Sequence, residues 1–423
     1  MRAVVFTLGC KVNDCESASL LRGLQERGFE VSDELVPADL YILNTCAVTG
    51  EAEKKSRQAI ARIRAVNPEA HIVVCGCAAE KTPEVFAKRR NVYLVTGARQ
   101  KSKILTLVDE TVANLQANSE GGCAGIRLDE DDRAYDEMLP PKSLKTRAFI
   151  KIQDGCNHFC SYCIIPYLRG RSRSRALESA AAEILQCRAE EAVITGIDIS
   201  SYNDGGRDLS CLLSAIKDAD CRIRLGSLEV GAITPALLDA AAQVRDFAPH
   251  FHLSLQSGSD AVLKKMNRHY TGEEYCRRVE AIRERFPDAA ITTDIISGFP
   301  TETEEDFEQT CALVKRVGFS QIHCFSYSRR TGTVAAKFPE LPAQVKRQRL
   351  HALLSLAAQM RREYEEKFIG KVLHIVPEEQ KDGYTVGYSE NYIRLYVKEE
   401  IGVKTRVRAL SPFADGLLAC RTD

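Results

Sequence analysis

The sequence predicts an α/β protein of three domains: a parallel α/β sheet, a partial (β/α)6 barrel and a small antiparallel β-barrel. Three observations support this prediction. Short apolar runs alternate with helical patterns over roughly the first 135 residues, and six larger strand–helix units follow. About 60 residues at the end carry five short strand patterns with Gly or Asp between them. A chain of 423 residues is also too long for one ordinary core.

The N-terminal domain is predicted over residues 1–116. Candidate strands are residues 3–8, 40–43, 71–74 and 92–95, and helical patterns occupy residues 17–27, 51–66 and 83–89. Strands that alternate with helices in this way pair in parallel. Residues 117–141 are acidic, contain glycine and end in Pro-Pro, so we interpret them as a linker.

The central domain is predicted over residues 142–341 and the last domain over residues 369–423. Candidate barrel strands are residues 148–152, 192–195, 223–227, 252–255, 291–296 and 322–326. A long helix is expected within residues 342–368, which link the two domains. The final strands are predicted at residues 371–376, 384–388, 392–398, 405–410 and 417–420. Small barrels of that kind often bind oligonucleotides.

Composition narrows the class of protein. Apolar residues make up 44% and charged residues 27%, which is typical of a globular chain and not of a disordered one. Lys+Arg and Asp+Glu are both 58, so an anionic partner would be met by local basic patches. No stretch approaches the roughly 18 apolar residues of a membrane helix, and the first apolar run is too short for a signal peptide. We therefore expect a cytoplasmic protein with no membrane partner, whose 16 cysteines are reduced and available as metal ligands.

Cys156, Cys160 and Cys163 follow directly on a candidate strand with the spacing C-x3-C-x2-C. Chance placement of 16 cysteines gives this spacing with an expectation of roughly 2%. Soft thiolates in one loop suit a 4Fe–4S cluster, and three of them leave one iron free to bind S-adenosylmethionine for radical chemistry. A zinc site is the competing interpretation, with His158 as the fourth ligand.

Cys10, Cys46 and Cys77 each follow one of the first three predicted strands. Because the carboxyl ends of parallel strands share one edge of a sheet, these thiols are expected to converge there. Gly9 and Gly76 would allow the backbone to approach a bulky cluster. Buried cysteines also serve as small apolar residues, and position alone leaves both interpretations open. Cys75, two residues before Cys77, is interpreted as part of the strand, and Cys15 as a structural residue, so neither is predicted as a metal ligand.

Several long motifs resemble the radical S-adenosylmethionine methylthiotransferases. They are TLGCKVNDCES, ILNTCAVTGEAEKKSRQ, VVCGCAAE, DGCNHFCSYCIIPYLRGRSRSR, LSLQSGSDAVLKKMNRHYT, TTDIISGFPTETEEDF and GYTVGYSENYIRLYV. The resemblance covers nearly the whole chain. It implies two 4Fe–4S clusters, an auxiliary one on Cys10, Cys46 and Cys77 and a radical one on Cys156, Cys160 and Cys163. It also implies that residues 369–423 are an RNA-binding TRAM domain.

The resemblance implies the reaction as well. One S-adenosylmethionine supplies a methyl group to sulfur at the auxiliary cluster, and another is cleaved to a 5′-deoxyadenosyl radical that abstracts hydrogen from an unactivated carbon, where methylthio is installed. No catalytic residue beyond the cluster cysteines is predicted. The implied partners are a tRNA anticodon stem-loop and an electron donor such as flavodoxin or ferredoxin.

The segments GCKVND, NTCAVT and KKSRQAIARIRAVNP are similar to the branch that acts on N6-threonylcarbamoyladenosine, 3′ of the anticodon in tRNA. Branches that act on isopentenyladenosine in tRNA or on a ribosomal-protein aspartate are the alternatives. They usually carry Gln-Met or Pro-Lys after the first cysteine, where this chain has Lys-Val. A metal-stabilised RNA-binding protein is the non-enzymatic alternative.

Further residues are predicted to bind cofactor or RNA. Residues at the barrel mouth, together with an aromatic residue beside the last cysteine, are implied to contact S-adenosylmethionine: Tyr162, Gly196, Asp198, Ser254 and Gln256. A basic run and one tyrosine of the last domain are predicted to bind phosphates and bases: Arg169, Arg171, Arg173, Arg175 and Tyr392. The run is also compatible with a cofactor carboxylate or with a solvated charged surface.

Overall fold

The computed structural model describes residues 1–99, 101–116, 125–128, 133–140 and 146–422. The N-terminal strands are β1 (Arg2–Thr7), β2 (Glu30–Ser32), β3 (Leu40–Thr45), β4 (His71–Gly76), β5 (Val92–Thr96) and β6 (Gly125–Arg127). The helices between them are α1 (Lys11–Glu26), α2 (Gly50–Val66), α3 (Cys77–Lys81), α4 (Pro83–Ala87) and α5 (Ile104–Gln116). The sheet has the order β2-β1-β3-β4-β5-β6, and every pairing is parallel. The predicted parallel α/β domain is therefore confirmed.

The segment predicted as a linker contributes to this sheet. β6 pairs with β5, with Leu94 opposite Gly125 and Thr96 opposite Arg127. No strand is predicted there, because three exposed residues are too few to show an alternation of apolar and polar side chains. The rest of the predicted linker lies partly outside the described residues.

Six parallel strands of the central domain form a curved, open barrel: β7 (Arg147–Asp154), β9 (Glu191–Gly196), β12 (Arg222–Leu225) continued by β13 (Ser227–Leu228), β14 (His250–Leu253), β15 (Ala290–Ser297) and β16 (Gln321–Ser326). The domain also contains β8 (Arg173–Ser174), which pairs antiparallel with β7, and a hairpin of β10 (Asn203–Asp204) and β11 (Arg207–Asp208). Its helices are α6 (Ile165–Arg169), α7 (Leu177–Leu185), α8 (Leu209–Ala215), α9 (Pro235–Gln243), α10 (Asp260–Lys265), α11 (Gly272–Arg285) and α12 (Glu304–Val317). The sheets β12-β9-β7-β8 and β13-β14-β15-β16 meet where β12 runs into β13. The predicted partial (β/α)6 barrel is confirmed.

The two faces of these strands differ in character. Ile150, Ile194, Ile223 and Phe251 pack with the helices in the largest apolar core. Because side chains alternate along a strand, the residues between them lie on the concave face. That face is largely polar and charged.

The linking helix and the last domain follow the barrel. The linking helix is α13 (Ala343–Glu366), and the last strands are β17 (Val372–Lys381), β18 (Tyr384–Tyr388), β19 (Arg394–Val397), β20 (Thr405–Phe413) and β21 (Gly416–Arg421). They close as β17-β18-β19-β21-β20, with antiparallel pairing except between β19 and β21. Within the described ranges, no helix has both the length and the apolar character needed to cross a membrane.

Candidate active site

The loop after β7 holds the first cysteine triad. Gly155 begins the loop with φ +70°, and a side chain there would collide with the backbone of Arg171. Cys156 accepts the backbone N–H of His158 at 3.5 Å, and Arg268 donates to the Cys160 sulfur at 3.4 Å. The backbone N–H of Cys163 bonds to the Cys160 carbonyl at 2.9 Å. The turn therefore brings the three thiols together in one loop.

The second triad lies at one edge of the N-terminal sheet. Cys10 precedes α1, Cys46 follows β3 and Cys77 begins α3. Gly9 has φ +121°, and a Cβ there would lie 2.7 Å from the Cys46 sulfur. Arg169, from the barrel, donates to the Cys77 sulfur at 3.4 Å. Strand ends thus gather three distant cysteines, as the parallel sheet requires.

The neighbouring cysteines lie elsewhere. Cys75 packs in the core on the opposite face of the sheet, beneath α1 and α5. Cys15 is buried within α1, where burial raises its pKa to about 12. Their positions agree with the strand and core roles expected from the sequence.

Both triads fit an iron–sulfur cluster. Burial is the main cause that raises the pKa of Cys46 to about 11 and of Cys156 and Cys163 to about 12. Thiols of this kind become thiolates when a cation compensates their charge, so cluster binding and deprotonation are coupled. Each triad also receives an arginine N–H on one sulfur, a contact that tunes iron–sulfur centres.

His158 does not join the three thiols as a fourth ligand. Its Nε2 lies 3.0 Å from Asp198 Oδ2 and 3.9 Å from Glu229 Oε1, and among the cysteines of the described residues only Cys156 has its sulfur within 4.8 Å of both His158 and Asp198. The zinc interpretation, which required His158 beside all three cysteines, is therefore not supported by this geometry.

A buried charge network runs from Cys77 of the second triad to Asp154, the last residue of β7 before the radical loop. Arg169 is fully buried and donates to Glu16 at 2.8 Å, to Asp154 at 3.1 Å and to Asn13 at 2.8 Å. Lys151 lies 2.8 Å from Glu16 and 2.6 Å from Asp154, and Lys101 also pairs with Glu16. Burial alone would raise the pKa of Glu16, but these three cations lower it well below its usual value. Glu16 is therefore ionised and fixes the N-terminal domain against the barrel.

The predicted RNA-binding role of Arg169 is accordingly wrong, and the same holds for Arg173 and Arg175. Arg173 is buried and donates to the Arg169 carbonyl at 3.0 Å, while Arg175 pairs with Glu137 and Glu183. Glu16 and Asn13, the partners of Arg169 on α1, are more than 150 residues away in sequence, so a local charge pattern does not reveal them. Arg171 alone is exposed, with its guanidinium 4.5 Å from the Phe159 ring centroid, and its contact with RNA stays a prediction.

The ring of Tyr392 stacks on other side chains of the protein. Its ring stacks on His250 at 4.3 Å and on Tyr388 at 4.6 Å, and Arg224 lies 5.2 Å from its centroid. The predicted stacking on an RNA base is therefore wrong, because two protein rings already cover it. Tyr392 instead packs the last domain onto the barrel.

The predicted cofactor residues lie in the radical loop and at the carboxyl ends of β9 and β14. Asp198 is buried beside Cys156, and Gly196 packs against Gln153, where a Cβ would lie 2.9 Å from the carbonyl oxygen. The Ser254 carbonyl accepts from Arg268 at 2.9 Å. Gln256 adopts φ +66° and bridges to β15, and Tyr162 packs in an apolar cluster with Phe299 and Met266.

Sequence reasoning missed Arg268 and Glu229 at the barrel mouth. They form an ion pair beside Cys160 and line a cavity of about 310 Å³ with His158 and Asn267. Arg268 lies inside the motif LSLQSGSDAVLKKMNRHYT, so the motif held the signal. Glu229 follows β13 and carried no comparable pattern.

The curved six-stranded barrel with a three-cysteine loop at its mouth defines a radical S-adenosylmethionine enzyme. Residues 150–314 match the family described as the Radical SAM superfamily, and residues 2–97 match Uncharacterized protein family UPF0004. The solved structure of TsrM, a radical S-adenosylmethionine methyltransferase from Kitasatospora setae, shares the fold. Its TM-score is 0.56 at 18% identity, over 79% of this chain and 77% of that one.

Curated relatives match along the whole chain. Threonylcarbamoyladenosine tRNA methylthiotransferase MtaB of Bacillus subtilis is 36% identical over 98% of this chain and 96% of the relative. The protein of the same name from Aquifex aeolicus is 38% identical over 96% of this chain and 100% of the relative. A tRNA-2-methylthio-N(6)-dimethylallyladenosine synthase of Caldicellulosiruptor saccharolyticus is 36% identical over 90% of this chain and 82% of the relative. The chain belongs to the tRNA methylthiotransferase family, whose cofactors are 4Fe–4S clusters and S-adenosylmethionine.

Proposed function

We propose that the chain converts N6-threonylcarbamoyladenosine, 3′ of the anticodon in tRNA, to its 2-methylthio derivative. The observation that carries the proposal is the presence of two cysteine triads, one in the loop after β7 and one at an edge of the N-terminal sheet, where Arg169 of the barrel donates to the Cys77 sulfur. Cys156, Cys160 and Cys163 would hold the radical cluster, and Cys10, Cys46 and Cys77 the auxiliary one. The relatives from Bacillus and Aquifex support the choice of nucleoside.

The chain's own residues position the reaction. S-adenosylmethionine and the clusters supply the radical and sulfur chemistry that side chains lack. Arg268 and Arg169 hold one sulfur of each triad by N–H donation, and the Arg268–Glu229 pair borders the cavity at the mouth. Asp198 orients His158, which forms part of the wall of that cavity. Tyr162, Gly196, Ser254 and Gln256 complete the proposed cofactor site.

Residues 1–116 would form the auxiliary-cluster domain, residues 142–341 the radical barrel, and residues 369–423 the RNA-binding TRAM domain, linked through residues 117–141 and 342–368. The proposed partners are the anticodon stem-loop and a low-potential electron donor such as flavodoxin or ferredoxin. The proposed location is the cytoplasm.

Turnover of defined stem-loops tests which nucleoside is the substrate. Reconstituted enzyme is given anticodon stem-loops that carry threonylcarbamoyladenosine, isopentenyladenosine or adenosine, and the nucleosides are analysed by mass spectrometry. We expect methylthiolation of the first alone. Persistence of the methylthio nucleoside in a deletion strain without a paralogue would contradict the proposal.

Isopentenyladenosine is the second candidate, because the relative from Caldicellulosiruptor is named for that nucleoside. Methylthiolation of the isopentenyl stem-loop alone would favour it. The same assay therefore separates the two candidates.

A further inference from the structure

Three polar side chains form a cluster on the concave face of the barrel. His252 on β14, Asp294 on β15 and His323 on β16 bring their nitrogen and oxygen atoms within 4.8 Å of one another. His252 Nε2 lies 3.4 Å from Asp294 Oδ2, and its Nδ1 bonds to Thr292 Oγ1 at 3.0 Å. The side chain of Asp294 is 31% exposed, so the cluster is open to a ligand.

Lys11 faces the same concave surface from the other domain. It follows Cys10 directly, and its Nζ lies 6.0 Å from the ring of Phe149 on β7. The charge of Lys11 also acts on the cluster. Burial raises the pKa of Asp294, whereas His252, His323 and, to a smaller extent, Lys11 lower it, and the pKa lies below its usual value. Lys11 is exposed, and it has no ion-pair partner within the part of the chain that the structure describes.

The charges select the kind of ligand. A metal cation at the His252–Asp294–His323 cluster would be repelled by the Lys11 ammonium. A ligand that combines a carboxylate with hydrogen-bond donors suits both ends of the site. The carboxylate pairs with Lys11, and an N–H or hydroxyl donates to Asp294.

An amino acid linked to adenine through a carbamoyl group offers these groups together. Its carboxylate, ureido N–H and hydroxyl lie within a few bonds of one another, whereas an isopentenyl group has none of them. A polar site of this kind rejects an apolar analogue because its own groups are left unpaired. The position of Lys11 beside Cys10 places this recognition next to the auxiliary triad.

We propose that Lys11, together with His252, Asp294 and His323, forms the subsite that binds the threonylcarbamoyl group of the substrate and selects it over apolar N6 substituents. The inference rests on the proposed function. Lys11 binds the threonine carboxylate, and Asp294 accepts a hydrogen bond from the ureido N–H or the hydroxyl. These are specificity residues and take no part in the bond-making steps.

Binding of stem-loops to the reconstituted full-length enzyme tests the subsite. Three probes are compared: the threonylcarbamoyl stem-loop, its threonine methyl ester and the isopentenyl stem-loop. For wild type we expect the methyl ester to bind roughly 10- to 100-fold more weakly than the free acid, as the loss of a charge-assisted hydrogen bond predicts. Lys11→Met should bind the acid and the ester equally, with unchanged affinity for the isopentenyl probe.

Asp294→Asn provides a second variant remote from the cysteines. It should weaken binding of the threonylcarbamoyl probe about tenfold or more and leave the isopentenyl probe unaffected. Lys217→Met, an exposed lysine far from the site, is the matched control and should behave as wild type. Iron content is measured for each preparation, so that binding is compared between variants with full clusters.

Two results would overturn the inference. One is a Lys11→Met enzyme that still distinguishes acid from ester, and the other is an equal loss of affinity for all three probes, which would assign Lys11 to the phosphate backbone. Failure of the proposed function looks different, because wild type itself would then methylthiolate the isopentenyl probe and not the threonylcarbamoyl one.

Discussion

Arg169 belongs to a run of four arginines, but its surroundings are those of a core residue. It contacts the Cys77 sulfur and the carboxylates of Glu16 and Asp154, and its side chain is fully buried. A guanidinium suits this position because its planar fork of donors satisfies several acceptors at once. The residue thus connects the proposed auxiliary cluster site to β7 of the barrel through a single side chain.

Removal of Arg169 should destabilise the protein strongly. Arg169→Met leaves Glu16 and Asp154 with fewer compensating cations in a buried setting, and we expect a loss of about 3 kcal/mol in the free energy of unfolding. Chemical denaturation measures it. Arg171→Met, two residues on and exposed, is the control and should change stability by less than about 1 kcal/mol. Equal stability of Arg169→Met and wild type would show that the network contributes nothing.

Gly9→Ala should remove the auxiliary cluster selectively. The new Cβ would lie 2.6 Å from the Cys46 Cβ, at a φ of +121° that disfavours side chains. Reconstituted protein should then hold about four irons in place of about eight, as expected when one 4Fe–4S cluster is lost. Iron analysis and electron paramagnetic resonance check this. Gly402→Ala, with open space around it, should retain the full content.

The sequence could identify the cysteines but not the charges around them. Cys10, Cys46 and Cys77 sit at strand ends, and parallel pairing alone brings such ends together. The partners of Arg169 and Arg175 come from helices and loops that are distant in sequence, so nothing local separated them from a surface run. Tyr392 was misassigned for the same reason, since His250 lies on another domain.

At the scale of elements, α13 carries a buried acidic side chain, Glu365, whose burial disfavours the ionised form. Glu365 is 6% exposed near the last domain, and burial raises its pKa from 4.5 to about 7, although Arg361 lies 3.7 Å away. An acid whose pKa is higher in the folded protein than in the unfolded chain favours unfolding once the unfolded chain ionises. The folded state therefore loses stability as pH rises from about 4.5 to about 7, and the penalty is constant above that range.

Glu365→Gln should remove this penalty. We expect the variant to be more stable than wild type at pH 8 by on the order of 2 kcal/mol, and no more stable at pH 4. Thermal unfolding at the two pH values measures the difference. Glu366→Gln, its exposed neighbour, serves as the control. A gain for Glu365→Gln that is the same at both pH values would contradict the argument.

The strands show what a periodic pattern can and cannot predict. The six barrel strands and the five final strands lie close to their predicted positions, because short apolar runs or alternation of apolar and polar residues mark them. β2 and β6 have only three residues each, too few to show any period. The parallel closure of β19 on β21 depends on the path of the whole barrel and has no local signal.

At the scale of the whole molecule, buried arginines dock the last domain under the barrel. Arg224 pairs with Glu191 at 2.7 Å and donates to the carbonyls of Ser389 at 3.0 Å and Glu390 at 3.2 Å. Arg222 donates to the His374 carbonyl at 3.1 Å. Concave-face residues of β12 thus hold the last domain in a fixed position relative to the proposed subsite.

Arg224→Met should loosen this docking without unfolding either domain. Glu191 loses its closest partner and two carbonyls of the last domain lose their donor. We expect a separate low-temperature transition in calorimetry and faster proteolysis between α13 and β17. Arg245→Met removes an exposed pair with Asp220 and is the control. A single transition at the wild-type temperature would argue against the role of Arg224.

The network around Glu16 has a consequence for biosynthesis. A ribosome completes the N-terminal sheet before it reaches Lys151, Asp154 and Arg169, so the nascent chain has Glu16 and Lys101 but lacks the groups that finish the network. During that interval Cys77 has no guanidinium beside it. The polar surroundings of the auxiliary site are therefore complete only after the first barrel strand and α6 have emerged from the ribosome.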